Sequence, residues 1–249
     1  IALSDWRGVF LSFIVFSATC VVWAMLRLPE TLPKPKRRPL QIGLLWNAVK
    51  EIFSNPMVCL SITVQTLVMG FLFSTLMLVQ PIYDQVYDRA ESFPFWLGVA
   101  ALISGTSSLL NALLVVRLGM QRIVILALGL QIVLSGLMLG LGLGDLPEPY
   151  GFVFFLMWQA SLFFQVGLVM GNLNALAMEP LGHIAGMAAS VIGAVSTVMA
   201  AMLASPIGLM FNGTITPLIG AVLTLATLAF ALMLLLARVN RQAAADPAE

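Results

Sequence analysis

Long apolar runs separated by short polar turns repeat along the whole chain. A helix needs about 20 mostly apolar residues to cross the hydrocarbon of a bilayer. Runs of that length lie at 6–27, 56–83, 94–117, 122–144, 151–177, 186–211 and 215–237. The pattern predicts an all-α membrane protein with seven transmembrane helices. One long polar break, Pro29–Pro56, sets the first span apart from the other six. Its first part, PETLPKPKRRPL, carries too many prolines for regular helix. Its second part, LQIGLLWNAVKEIFSN, places Leu40, Leu44, Leu45, Ala48, Val49, Ile52 and Phe53 on one helical face. That face predicts an amphipathic helix lying on the inner leaflet. The expected organisation is one span over 1–28, a linker over 29–55, a six-span block over 56–238 and a tail over 239–249. The block divides into two groups of three spans, the pattern of an inverted repeat.

Composition removes the soluble alternatives. Only 9% of residues are charged and 60% are apolar, with a mean hydropathy of +1.01. A water-soluble domain carries about a quarter charged residues, so lipid is the expected solvent for most of the surface. Orientation follows from the placement of Lys and Arg. Arg27, Lys34, Lys36, Arg37, Arg38, Lys50, Arg117, Arg122, Arg238 and Arg241 fall on one side. Asp5, Asp84, Asp88, Glu91, Asp145 and Glu148 fall on the other, together with the cations Arg7 and Arg89. This places the N-terminus outside and the C-terminus in the cytoplasm of a multi-pass protein of the plasma (inner) membrane. The chain opens on Ile1 with no basic stretch before its first span, which predicts further sequence upstream rather than a signal peptide. Cys20 and Cys59 lie inside apolar runs and read as free thiols packed as small hydrophobes.

The candidate chemistry is neutral. No Asp, Glu, Lys or Arg stands in the middle of a span. The chain therefore offers neither a buried carboxylate for proton exchange nor a lysine for a retinal Schiff base. One histidine without paired ligands gives no metal site, and the short basic run beside lipid predicts no nucleic-acid partner; no cofactor is expected. What remains are buried amides and hydroxyls, which in lipid need a partner or a wet cavity. Gln65, Thr66, Trp158, Gln159 and Gln165 are the candidates for lining a substrate cavity, against the alternative that such amides only tie helices together. Gly186, Ala189, Gly193, Ala200, Ala201 and Ala204 predict close packing of the sixth long span, with Pro206 and Gly208 as a point of bending. The fourteen methionines fit either a core or an adaptable pocket. His183, four residues after Glu179, stands in a turn and reads as a gate contact or as turn polarity.

Several stretches carry a family resemblance. WRGVF at 6–10 followed by LRLPETLP at 26–33, LLNALLVVRLGMQR at the end of the third span, GNLNALAMEPLGHIAGMAASVIGA at 171–194 and FNGTITPL at 211–218 resemble the C-terminal half of a major facilitator superfamily transporter. They are most similar to the Bcr/CflA drug-resistance subfamily. The resemblance implies that the first span is the last helix of an N-terminal bundle and that the remaining six form the C-terminal bundle. It assigns Asn111, Arg117, Gly119, Arg122, Glu179 and His183 to cytoplasmic turns or gates. Val116 stands where the superfamily signature often has Asp. The resemblance further implies a proton-coupled exporter of small molecules whose proton-binding carboxylates lie in an N-terminal half upstream of Ile1. Its partners would be substrate, protons, lipid and that other half. A transporter of an ordinary metabolite and, more remotely, a seven-helix receptor are the competing readings.

Overall fold

The computed structural model describes residues 6–28 and 42–245. Eight α-helices are present among them: α1 (Trp6–Arg27), α2 (Ile42–Ser54), α3 (Pro56–Gln85), α4 (Phe93–Leu118), α5 (Met120–Gly140), α6 (Tyr150–Met178), α7 (Ala185–Leu209) and α8 (Thr216–Ala245). Seven of them are apolar and long enough to cross a bilayer. α6 and α7 run through one continuous stretch, Tyr150–Leu209, bent at the 3-10 turn Glu179–Ile184. The all-α class and the seven spans agree with the hydropathy pattern.

Three boundaries differ from the pattern. α5 stops at Gly140 instead of running to 144, because Gly142 turns left-handed (φ 58°) and starts the short 3-10 turn Leu143–Asp145. α8 continues to Ala245, so the expected tail from 239 is largely helix. The expected linker 29–55 is not one piece. Chain contacts divide the protein into Ile1–Ile42 and Gly43–Glu249, which places α2 with the six-helix unit. The basic run Lys34–Arg38, Leu40 and Asp5 lie outside the described residues.

α1 stands as its own unit, and its hydroxyls fold back onto its backbone: Ser12 Oγ donates to Gly8 O at 2.8 Å and Thr19 Oγ1 to Val15 O at 2.8 Å. Such back-bonding satisfies a hydroxyl without a neighbour, as an apolar solvent requires.

The second unit is built in two rows. α4, α6, α3 and α7 lie side by side in that order, and α5 and α8 pack behind them, α5 on α6 and α8 on α3. Exchanging α3 with α6, α4 with α7 and α5 with α8 maps this set of neighbours onto itself. Bonds at the two ends of α3 show that α3 and α6 run antiparallel, since Gln65 meets Asn174 and Tyr83 meets Gln159. The two three-helix groups are thus inverted copies of one packing plan. α7 meets α3 through Ala188, Ile192, Ser196, Ala200 and Ala204, a buried stripe at a spacing of four. Gly186, Ala189 and Ala201, expected in that seam, are exposed, and Gly193 is half-buried, with open space for 4 Å around the place a Cβ would take. The spacing of four advances slightly more than one 3.6-residue turn per step, so the buried stripe winds slowly around α7 and leaves these small residues off it.

A separate small core closes the end of α3 and α7. Ala48 and Ile52 of α2 pack with Val58, Ile62, Ala177, Leu181, Ile184, Ala188 and Ile192. The predicted amphipathic face therefore docks at least partly on protein: Ile52 is fully buried, while Phe53 and Trp46 stay exposed.

Candidate functional site

α3 and α6 are enclosed on three sides. α3 is bounded by α6, α7 and α8, and α6 by α3, α4 and α5. Whatever of their length stays open must face the fourth side, the free face of the four-helix row. On α3 that surface is Met69, Phe73, Leu76, Met77 and Gln80, one helical stripe. On α6 it is Met157, Ser161, Phe164, Gly171 and Asn174. The stripe carries no charge until Asp84, exposed in the last turn of α3. A groove of about 350 Å3 opens beside it between α3, α4 and α6, lined by Leu72, Leu76, Ala101, Ser104, Phe163, Val166, Gly167 and Met170. Ser104 Oγ is engaged there, donating to Phe163 O at 2.8 Å. Methionine is divided between core and surface: Met138 and Met233 are buried, Met57, Met120, Met170, Met178 and Met187 pack half-buried against the cores, and Met77 and Met157 are exposed on the open face.

The sequence-derived cavity candidates sit behind that face. Gln65, Thr66, Trp158, Gln159 and Gln165 are all buried, and none lines the groove. Gln65 Nε2 donates to Asn174 Oδ1 at 3.1 Å, leaving its own carbonyl oxygen without a partner. Asn174 is half-buried, so Gln65 meets the open face through it. Tyr83 donates to Gln159 Oε1 at 3.0 Å, in an edge-to-face cluster with Phe93, Phe152 and Phe155. Trp158 Nε1 donates to Ser135 Oγ at 3.0 Å, and Gln131 Nε2 reaches the same hydroxyl at 3.3 Å. These are ties between helices: α3 to α6 at two well-separated levels, and α6 to α5 beside the Gln159 level. Gln165 is the exception, with both amide atoms buried and unpartnered. Gln131 and Ser135 escaped the sequence reading. Their spacing of four in an otherwise apolar helix was the available signal.

The turn and gate candidates separate into four places. Asn111 accepts from Asn172 Nδ2 at 2.7 Å and ties α4 to α6. Gly119, Arg122 and Glu179 come together around a cavity of about 370 Å3 between the α4–α5 turn and the end of α6. Gly119 makes that turn with φ 78°, a conformation that costs a glycine little. Arg117 is exposed in the last turn of α4. His183 Nε2 lies 2.7 Å from Glu51 Oε1 of α2, a partner the sequence did not disclose because it is distant along the chain.

At the opposite end, Arg89 bridges to Glu148 (Nη2–Oε2 2.9 Å, Nε–Oε1 3.3 Å) and stacks 4.4 Å above Phe152. Its hydrogen bond to Glu148 holds the guanidinium pKa above its ordinary value. Tyr87 donates to Gly144 O at 3.2 Å and Gly151 O at 3.3 Å. Burial, with Asp145 and Glu148 nearby, pushes its phenol up, so the proton it donates is retained through neutral pH.

The family model of the Major Facilitator Superfamily matches residues 1–205. No curated protein and no solved structure matches the chain.

Proposed function

The chain belongs to the major facilitator superfamily, and on that premise we propose that it forms one wall of the path of a proton-driven exporter of uncharged or weakly cationic amphiphilic molecules. The observation that carries the substrate class is the open face of α3 and α6, where Met69, Phe73, Leu76, Met77, Met157 and Phe164 outnumber Gln80, Ser161 and Asn174. A charged metabolite would leave its charge unpaired against such a surface, at a cost of several kcal/mol (about 2–7 for even a neutral polar group). An apolar body with one or two hydrogen-bonding groups meets no such penalty. Methionine adapts to differently shaped apolar groups and favours aromatic rings.

Within this reading the buried amides have distinct roles. Asn174, held by Gln65, is the polar contact that meets substrate. Thr66 and Gln165 lie one layer back, as do Trp158 and Gln159, which set the spacing of α6 against α5 and α3. Proton coupling belongs to another part of the transporter, since the middle of these spans carries no acidic or basic residue. Two bundles rocking about a central site would expose it to each side in turn, with the C-terminus cytoplasmic and the protein in the plasma membrane. A metabolite transporter of the same superfamily is the second reading, and the paucity of hydrogen-bonding groups on the open face counts against it.

The test is counterflow of a lipophilic, weakly basic probe in liposomes holding the full-length protein. Asn174→Ala is expected to raise KM about tenfold, one lost hydrogen bond of roughly 1.4 kcal/mol, whereas Trp158→Phe lowers thermal stability and leaves KM alone. Saturable transport of a sugar or dicarboxylate, with none of the lipophilic probe, would refute the substrate class.

A further inference from the structure

We propose that α2 is a cytoplasmic strut of the six-helix bundle: it pins the α6–α7 turn through Ile52 and the Glu51–His183 contact and moves with the bundle as one body. The movement rests on the transporter reading; the attachment does not.

Three independent contacts fix the helix. Its join to α3 is stiff, because Asn55 Oδ1 caps α3 by accepting from Met57 N at 2.9 Å and Val58 N at 3.4 Å. Across the same join Cys59 Sγ donates back to Phe53 O at 3.2 Å. One face of α2 is buried on the bundle, Ile52 completely and Ala48 nearly so, against Leu181 and Ile184 of the turn and Ala188 and Ile192 of α7. Beside that contact Glu51 meets His183 at 2.7 Å. Apolar burial supplies the attachment, since this end of the bundle faces water. The half-exposed polar pair is too solvated to hold the helix alone and instead sets its rotation and register.

A helix lying freely on lipid would turn its whole apolar side to the membrane. Here that side is shared, with Ile52 inward and Trp46 and Phe53 outward. The boundary between the two units of the chain falls after Ile42, the first residue of α2, so the rest of the helix belongs to the six-helix unit. Any displacement of the connection between units is then delivered through α2 to the α6–α7 turn. That turn sits directly after the part of α6 that carries Asn172 and Asn174. Glu51 and His183 are in this sense positioning residues for the inner end of α6.

The experiment uses the full-length protein in lipid bilayers with Cys20→Ser and Cys59→Ser. Spin labels on Asn47→Cys and Ser190→Cys, both exposed positions, are expected to give one narrow distance that an imposed proton gradient does not shift. A broad or two-peaked distribution would overturn the strut. His183→Ala is expected to broaden the distribution, and the exchange Glu51→His with His183→Glu to narrow it again; failure of the exchange to do so removes the pair from the positioning role. In a second arm, Glu51→Cys and His183→Cys are joined by a short cleavable bis-thiosulfonate. Transport within about twofold of the unjoined protein is expected, and transport that stops on joining and returns on cleavage would overturn the proposal. A protein that transports nothing before joining counts against the transporter reading, while the spin-label distance still decides the strut.

Discussion

At the scale of single residues, the interior is most sensitive where a backbone approaches closely. A Cβ on Gly151 would stand 2.5 Å from Leu146 O and 2.9 Å from Gly144 O, both backbone atoms that cannot rotate away. Gly151→Ala is expected to cost about 1–3 kcal/mol of stability, read as a lower melting temperature in detergent. Gly193, with nothing within 4 Å, is the contrast: Gly193→Ala is expected to leave stability unchanged or raise it by about 0.5–1 kcal/mol. Tyr87 offers a pH test. Its phenol pKa is raised in the folded state, so the neutral form contributes stability that is complete below the ordinary tyrosine value near 10 and lost as pH rises beyond it. Melting of the native protein should therefore fall more steeply above pH 10 than melting of Tyr87→Phe, and parallel curves would show the phenol plays no such part. The residue types needed for burial were legible in the sequence: Gln65, Thr66, Trp158, Gln159 and Gln165 are indeed interior. Their partners were not. Gln65 and Asn174 are 109 positions apart and Tyr83 and Gln159 are 76 apart, and only the packing of α3 on α6 joins them.

At the scale of elements, span positions follow from hydropathy because lipid penalises any exposed backbone polar group. Helix ends follow less well, since a glycine such as Gly142 decides them through its backbone and not its polarity. α2 marks the same limit. Its amphipathic pattern is plain, but a stripe of apolar residues does not say whether lipid or protein will cover it. Removing its anchor separates the two: Ile52→Ala is expected to cost about 2–5 kcal/mol if the side chain fills a protein core, and close to nothing if it lies in lipid. Asn55→Ala should cost about 1 kcal/mol through loss of the α3 cap. Thermal unfolding of the two variants beside the parent checks both. The bridge at the other end of the bundle behaves differently. Arg89 and Glu148 are substantially exposed, so Glu148→Gln should change stability by less than about 1 kcal/mol.

At the scale of the whole molecule, the two-row arrangement explains why the open surface could not be read from the sequence. Each span looks uniformly apolar, so periodicity within a span does not distinguish the side facing lipid from the side facing a cavity. Only when α3 and α6 are seen enclosed on three sides does Met69–Phe73–Met77–Gln80 separate from the rest. The same enclosure buries Gln65, Gln159 and Gln165 behind that open face. On the proposed function, a wall of this kind takes apolar, sparingly hydrogen-bonding solutes, and because the middle of its spans carries no acidic or basic residue, substrate contact and energy coupling are assigned to different parts of the transporter. That division is put to the test on the full-length gene in an efflux-deficient bacterium. Intracellular accumulation of an amphenicol is measured with and without a protonophore. Expression is expected to lower accumulation and the protonophore to restore it. Unchanged accumulation despite confirmed membrane insertion, or a reduction that the protonophore leaves intact, would contradict the proposal.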